Sequence, residues 1–174
     1  MENNFGEVVS INVSKQKGTV KTPVSELIID NNGIVGDAHS GNWHRQITLL
    51  SQESINLYSN KNKVQIISGQ FAENITTKDI DLTTLNILDR LQINDVILEV
   101  TQIGKECHGS KCYIFHQTGD CIMPREGIFC KVITEGNIKA NDKILIIPRD
   151  FNINIITLSD RASAGIYTDR SGEK

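Results

Sequence analysis

Short runs rich in Val, Ile and Thr, each bounded by turn residues, recur along most of this chain, and that recurrence restricts the fold more than any other feature. They are EVVSINV (7–13), SELIID (25–30), RQITLL (45–50), FAENITT (71–77), DVILEVTQI (95–103), GIFCKVIT (127–134) and DKILIIP (142–148). Several alternate apolar with polar residues, the period of a strand with one face buried. Asn32-Gly33, Ile93-Asn94-Asp95 and Ala140-Asn141-Asp142 fall where the chain must reverse, and Asn and Gly tolerate the positive φ that tight turns demand. One segment reads as a helix, 51–59, with Ser51 as its cap, Glu53 in the first turn, and Ile55 and Tyr58 on one face. The expected fold is mainly β, a sheet closed or strongly curved into a barrel so that its edges are managed, with a few short flanking helices.

The 174 residues suffice for one ordinary domain with an apolar core. Pro148-Arg149-Asp150 marks a domain edge, so residues 1–150 are expected to form the barrel domain. Residues 151–174 open with a strand-like run and pass into a Ser/Asp/Gly-rich loop, like the truncated start of an α/β domain. A formal net charge of -3 lacks the basic excess of a nucleic-acid binder. Met1 is followed by Glu2, Asn3 and Asn4, and no window is long and apolar enough for a membrane span. The expectation is a cytoplasmic protein that engages neither nucleic acid nor membrane.

Polar chemistry concentrates in three places. Gly36 to Gln46 packs Asp37, His39, His44 and Arg45 ahead of a strand. Arg45 with the loop amides suits an anionic group, because a planar guanidinium matches phosphate and carboxylate geometry. That is the leading reading of the loop, and two others stand behind it: Asp37 and His39 bonded to their own backbone, or a metal held by His39 and His44. Gly69 to Thr76 places Glu73 and Asn74 inside a strand-like run, either as ligand contacts or as pins for a bulge.

The third place, Ile103 to Phe129, holds Cys107, Cys112 and Cys121, with Cys130 directly after it. Cys130 sits in an apolar run and reads as a small buried hydrophobe. Cys107 and Cys112 are flanked by Lys105, His108 and Lys111, and nearby cations favour the thiolate, the form that attacks sulfane sulfur and binds soft metals. A zinc site drawing on Cys107, Cys112, Cys121 and His108 or His116 is the competing reading, as is a transient Cys107–Cys112 disulfide.

Taken in order, GDAHSGNWHRQITLL, GQFAENITT and VTQIGKECHGSKCYIFHQTGDCIMPREGIFCKVITEG resemble the short bacterial MOSC family, named for the C-terminal domain of molybdenum cofactor sulfurase. The resemblance covers most of residues 6–147. It implies a β-barrel that handles molybdenum cofactor, with Cys112 or Cys107 as the reactive residue or molybdenum ligand; Cys112 matches relatives with two close cysteines. It also implies that Arg45, Asn74, Thr76 and Arg125 lie near the cofactor's pterin and phosphate, joined in the matching motifs by Asp37, His39 and Glu73. The sulfurase's pyridoxal phosphate part has no counterpart here, so this chain is not expected to make its own persulfide.

The tail IITLSDRASAGIYTDRSGEK is similar to the opening of the molybdopterin adenylyltransferase family, which implies a fused or associated adenylyltransferase domain as partner. The leading expectation is cofactor binding, or sulfur transfer between a donor and a molybdoenzyme acceptor, through a cysteine thiolate. The alternatives are a cofactor-dependent reductase of N-hydroxylated compounds and a non-catalytic docking module.

Overall fold

The computed structural model describes residues 4–106, 115, 120–151, 153 and 160–168. Seven strands close into a barrel: β1 (Phe5–Val13), β5 (Ile47–Ser51), β6 (Ile75–Lys78), β7 (Arg90–Ile93), β8 (Val96–Ile103), β9 (Ile128–Thr134) and β11 (Lys143–Ile147). The order runs β11-β7-β8-β9-β5-β6-β1, and β1 returns to β11 through the pairs Phe5↔Leu145 and Glu7↔Lys143. Closure leaves no open edge, as the sequence pattern led us to expect.

Three short strands, β2 (Thr22–Pro23) on β1 and the hairpin of β3 (Leu27–Asp30) with β4 (Gly33–Ile34), lie outside the ring. β3 pairs with β10 (Gly136–Ile138) to make a separate three-stranded sheet. SELIID is therefore a strand but not a barrel stave. The seventh stave is β7, which no named sequence run had covered. Each foreseen turn carries the expected backbone, with positive φ at Gly33, Asn94 and Asn141.

The barrel strands pair antiparallel except β5 with β6, which run parallel. Parallel neighbours need a crossover. α1 (Gln52–Asn62) supplies it, capped by the Ser51 side chain, which accepts from the Ser54 N–H, and ended by Lys63 in the left-handed region. Its buried face, Ile55 and Tyr58, lies on Leu50, Phe71, Ile122 and Met123, so β5 is buried on both sides and shows no alternation. Ile47 and Leu49 point inward to the barrel core with Val8, Ile75, Leu98 and Ile144. Two further helices, α2 (Met123–Glu126) and α3 (Asp160–Ser163), are each a single turn. Among the described residues no helix is long and apolar enough to cross a membrane.

Candidate functional site

At the end of the barrel where β5 and β6 begin, polar side chains replace the apolar core. Lys21 is 1% exposed, and its ammonium lies 2.5 Å from Oδ2 of Asp37, whose side chain is fully buried. Asp37 is held on several sides. Its Oδ2 also accepts from the Ser14 N–H (3.0 Å) and from Nδ2 of Asn74 (3.1 Å), and its Oδ1 accepts from the His39 N–H (2.9 Å). Nδ1 of His39 stands 3.2 Å from Asp37 Oδ1 and 3.3 Å from Lys21 Nζ.

The electrostatics follow from these contacts. Burial opposes ionisation of Asp37, but the bonds from His39 and Lys21 outweigh it and hold the carboxyl well below the usual range. Burial pulls the Lys21 amine down, partly offset by Asp37 and, at longer range, by Glu73; Lys105 pushes the same way as burial. Lys105 stands two residues before Cys107, near the end of the described stretch that closes at Glu106.

Asn74 is a brace. Its Oδ1 accepts from the Thr48 N–H and its amide donates to the Asn12 carbonyl as well as to Asp37, tying β1, β5 and the 36–46 loop together. Glu73, also fully buried, pins the turn before β6: one oxygen accepts from the Gly69 N–H and from the Thr76 hydroxyl. Burial pushes the Glu73 carboxyl up, against the pull of those bonds. Gly69 is required at this turn, with φ at +89° and the space for a Cβ taken by the Lys21 carbonyl oxygen 2.3 Å away. That close approach fixes Lys21 beside the cluster. Glu73 Oε2, Asn12 Nδ2 and Thr77 Oγ1 are buried without a hydrogen-bond partner among the described residues.

Beside the cluster, the indole N–H of Trp43 donates to the His39 carbonyl (2.7 Å). The Arg45 guanidinium packs between Trp43 (4.9 Å) and Phe129 (5.7 Å), and Lys17 approaches the Trp43 ring at 5.5 Å. Nε of Arg45 is buried and unpartnered among the described residues. The structure thus gathers Asp37, His39, Glu73, Asn74 and Thr76, with Arg45 at the rim. Arg125 lies on α2, where both its NH groups reach the Asp120 carboxylate (3.2 and 3.3 Å).

His44 is exposed and edges onto Trp43, away from His39. Among the described residues no three His, Cys, Asp or Glu side chains assemble as for a metal ion. Cys107 and Cys112, with His108 and His116, lie outside the described residues. Cys130 is fully buried, and burial pushes its thiol far up, as for an inert core cysteine.

Lys21 is the site residue that sequence reasoning missed. It precedes Thr22-Pro23 in an unremarkable turn region, and lysine is almost never fully buried unless paired. Its partner, Asp37, is distant in sequence, so no local pattern announces the pair.

The chemistry on offer is that of a donor-rich cluster with a buried cation, suited to an anionic group bearing several acceptors. Solved structures share the architecture. A YuaD protein from Bacillus subtilis is 20% identical, the match covering 84% of this chain and 97% of that one at a TM-score of 0.69. YiiM from Geobacillus stearothermophilus is 21% identical over 83% of this chain and 76% of that one, at 0.65. YiiM from Escherichia coli is 17% identical over 86% of this chain and 72% of that one, at 0.60. Identities this low speak for the fold alone, and no curated protein matches the sequence. The family model described as MOSC domain, however, matches residues 36–145, more than half of the sequence, and the chain belongs to the MOSC domain family.

Proposed function

We propose that this chain handles molybdenum cofactor, holding the anionic part of the cofactor at the basic end of the barrel and engaging it, or the sulfur destined for it, through the thiolate of Cys112 or Cys107. The family is generally linked to such functions. The observation that carries the reading is the convergence of the buried Lys21–Asp37 pair with Lys105, the residue that leads into Cys107.

The residues fit the cofactor in kind. Arg45 Nε and Asn12 Nδ2 are buried donors without partners among the described residues, and Lys21 adds an ammonium, a set that suits phosphate and the polar edges of a pterin. When bound, the cofactor would supply the redox metal, and the soft ligand would be a cysteine thiolate. In this reading Lys21, His39 and Arg45 face the cofactor, while Asp37 and Asn74 hold Lys21 in place. Glu73 and Thr76 shape the turn that packs against Lys21. Arg125 braces the end of the cysteine-bearing segment through Asp120.

The similarity of the tail to molybdopterin adenylyltransferases supports a partner in the same chemistry; Ile155–Ser159 and Asp169–Lys174 of that tail lie outside the described residues. The sulfur donor and the molybdoenzyme acceptor belong to this proposal as well.

The test is retention of molybdenum per chain after incubation with isolated cofactor and anaerobic desalting. Wild type should retain it, and Cys107→Ala or Cys112→Ala should lose it, naming the ligand. Wild type that retains none ends the direct-binding reading. Gain of one sulfur atom on a cysteine, seen by mass spectrometry after exposure to a persulfide, then decides whether sulfur carriage stands.

A further inference from the structure

His39 is the partly exposed member of the Lys21–Asp37–His39 cluster: its side chain is 26% exposed, against 1% for Lys21 and 0% for Asp37. Its ring is placed by the backbone on both sides, the N–H donating to Asp37 and the carbonyl accepting from Trp43. One atom, Nδ1, faces both Lys21 Nζ at 3.3 Å and Asp37 Oδ1 at 3.2 Å. It can serve only one at a time. With a lone pair there, Nδ1 accepts from the ammonium; with a proton there, it donates to the carboxylate. A single proton exchanges these two states without moving the ring.

We propose that His39 is the proton port of the site, carrying protons between solvent and the buried Lys21 ammonium, and that Lys21 passes them to an anion formed on a ligand at the end of the barrel. Asp37 orients both partners and does not carry the proton, because it is held as a carboxylate. Burial, by lowering the affinity of the Lys21 amine for its proton, makes the ammonium a better donor than a surface lysine. The charged groups that face Lys21 are Asp37 and His39 from the loop after β4, Glu73 from the turn before β6, and Lys105 from the end of β8. Asn74 and the Ser14 N–H complete the shell around Asp37.

That the anion is a departing thiolate rests on the sulfur-handling reading above; the port itself does not. In such a transfer an attacking thiolate forms a bond to a sulfane sulfur, the old S–S bond breaks, and its electron pair leaves on the departing sulfur. The departing thiolate takes a proton from Lys21. The resulting amine regains one from the His39 imidazolium, and His39 regains one from water. No external oxidant or reductant is consumed.

The test reads solvent exchange of the Lys21 ammonium protons by NMR of the chain labelled with nitrogen-15 lysine, without cofactor. His39→Gln keeps a hydrogen-bonding side chain of similar reach that cannot shuttle protons. Exchange in this variant should be about a hundredfold slower than in wild type or more, the low end of what a placed acid–base group contributes, and added imidazole should restore part of the loss. A variant rate within about twofold of wild type overturns the proposal on the same scale.

Should His39→Gln lose the native amide spectrum, wild type alone decides. A port makes the exchange rate level off once the imidazole is fully neutral, whereas direct exchange keeps rising in proportion to hydroxide. Because the measurement involves no molybdenum and no persulfide, a chain that keeps the port but neither retains cofactor nor gains sulfur sinks the functional reading and leaves this inference standing, and the reverse outcome does the opposite.

Discussion

The barrel has two interiors, and they obey opposite rules. Its middle is lined by Val8, Ile47, Leu49, Ile75, Leu98, Ile144 and their neighbours, each fully buried and apolar, and each removal from water stabilises the fold by roughly 1.5–3 kcal/mol. At one end, Lys21, Asp37, Glu73, Asn74, Asn12, Thr76 and Thr77 are buried just as deeply. Taking an ion pair out of water costs several kcal/mol per ion before its attraction is counted, and three side-chain atoms of this second interior still have no partner among the described residues. The apolar interior is the reason the chain folds. The polar one departs from the rules of a stable core, as functional sites characteristically do.

Removing one ion from the polar interior should produce the largest effect. Asp37→Ala leaves the Lys21 ammonium buried and unpaired and is expected to destabilise by about 3–5 kcal/mol in urea unfolding. The double variant Lys21→Met with Asp37→Asn should recover most of that loss, because neither ion then remains and the asparagine oxygen can still accept from part of the Ser14, His39 and Asn74 donor set. If the double variant is no better than the single one, the cluster is supporting the fold and the contrast drawn here fails.

The pH dependence has a definite sign. The folded-state pKa of Asp37 is depressed, so its contribution is present above the ordinary carboxylate range near pH 4 and is lost as pH falls through the lower folded value. Wild type should therefore lose stability on acidification below about pH 4 more steeply than the double variant.

In the apolar interior, Leu98→Ala should cost about 3 kcal/mol, within the range for buried leucine truncations, while leaving molybdenum retention per folded chain unchanged. Loss of retention at equal folded fraction would show that the two interiors are coupled.

Glu73→Gln is expected to have a smaller effect than either, and one that depends on pH. The folded-state pKa of Glu73 is raised, so its contribution is greatest in acid and is lost as pH rises through that folded value. The glutamine variant should thus gain on wild type as pH increases from 5 to 8, read as the difference in urea midpoints. A flat difference would mean that the carboxyl is not held up by burial.

The smallest effect belongs to the surface pair outside both interiors. Arg125→Ala, which removes an exposed contact with Asp120, should change global stability by less than about 1 kcal/mol. A large change in molybdenum retention in that variant, with stability intact, would restore Arg125 to direct contact with the cofactor.

Local pattern made much of the architecture legible. Alternation and β-branched content located six of the seven barrel staves, and Asn94 and Asn141 were readable as turns because few residues tolerate their backbone. β7 escaped because Arg90-Leu91-Gln92-Ile93 is short and carries only two inward side chains, although the turn at Asn94 already required a strand before it. Within the site, Asp37, His39, Glu73, Asn74 and Thr76 were visible as polar residues out of place near apolar runs. Their roles were not, since Glu73 could pin a turn or meet a ligand until Gly69 and Thr76 were seen to share one of its oxygens.

By itself the sequence determined six of the seven barrel strands, the turn positions, the capped helix and the family, because each depends on residues close together in the chain or on motifs read in order. Only the tertiary structure decided that SELIID lies outside the barrel, that Arg125 pairs with Asp120, and that Lys21 is an interior cation. The physical reason is that the cost of a buried charge is set by what closes over it. For Lys21 those groups are Asp37, His39 and the turn at Gly69, which meet it only after the barrel has formed.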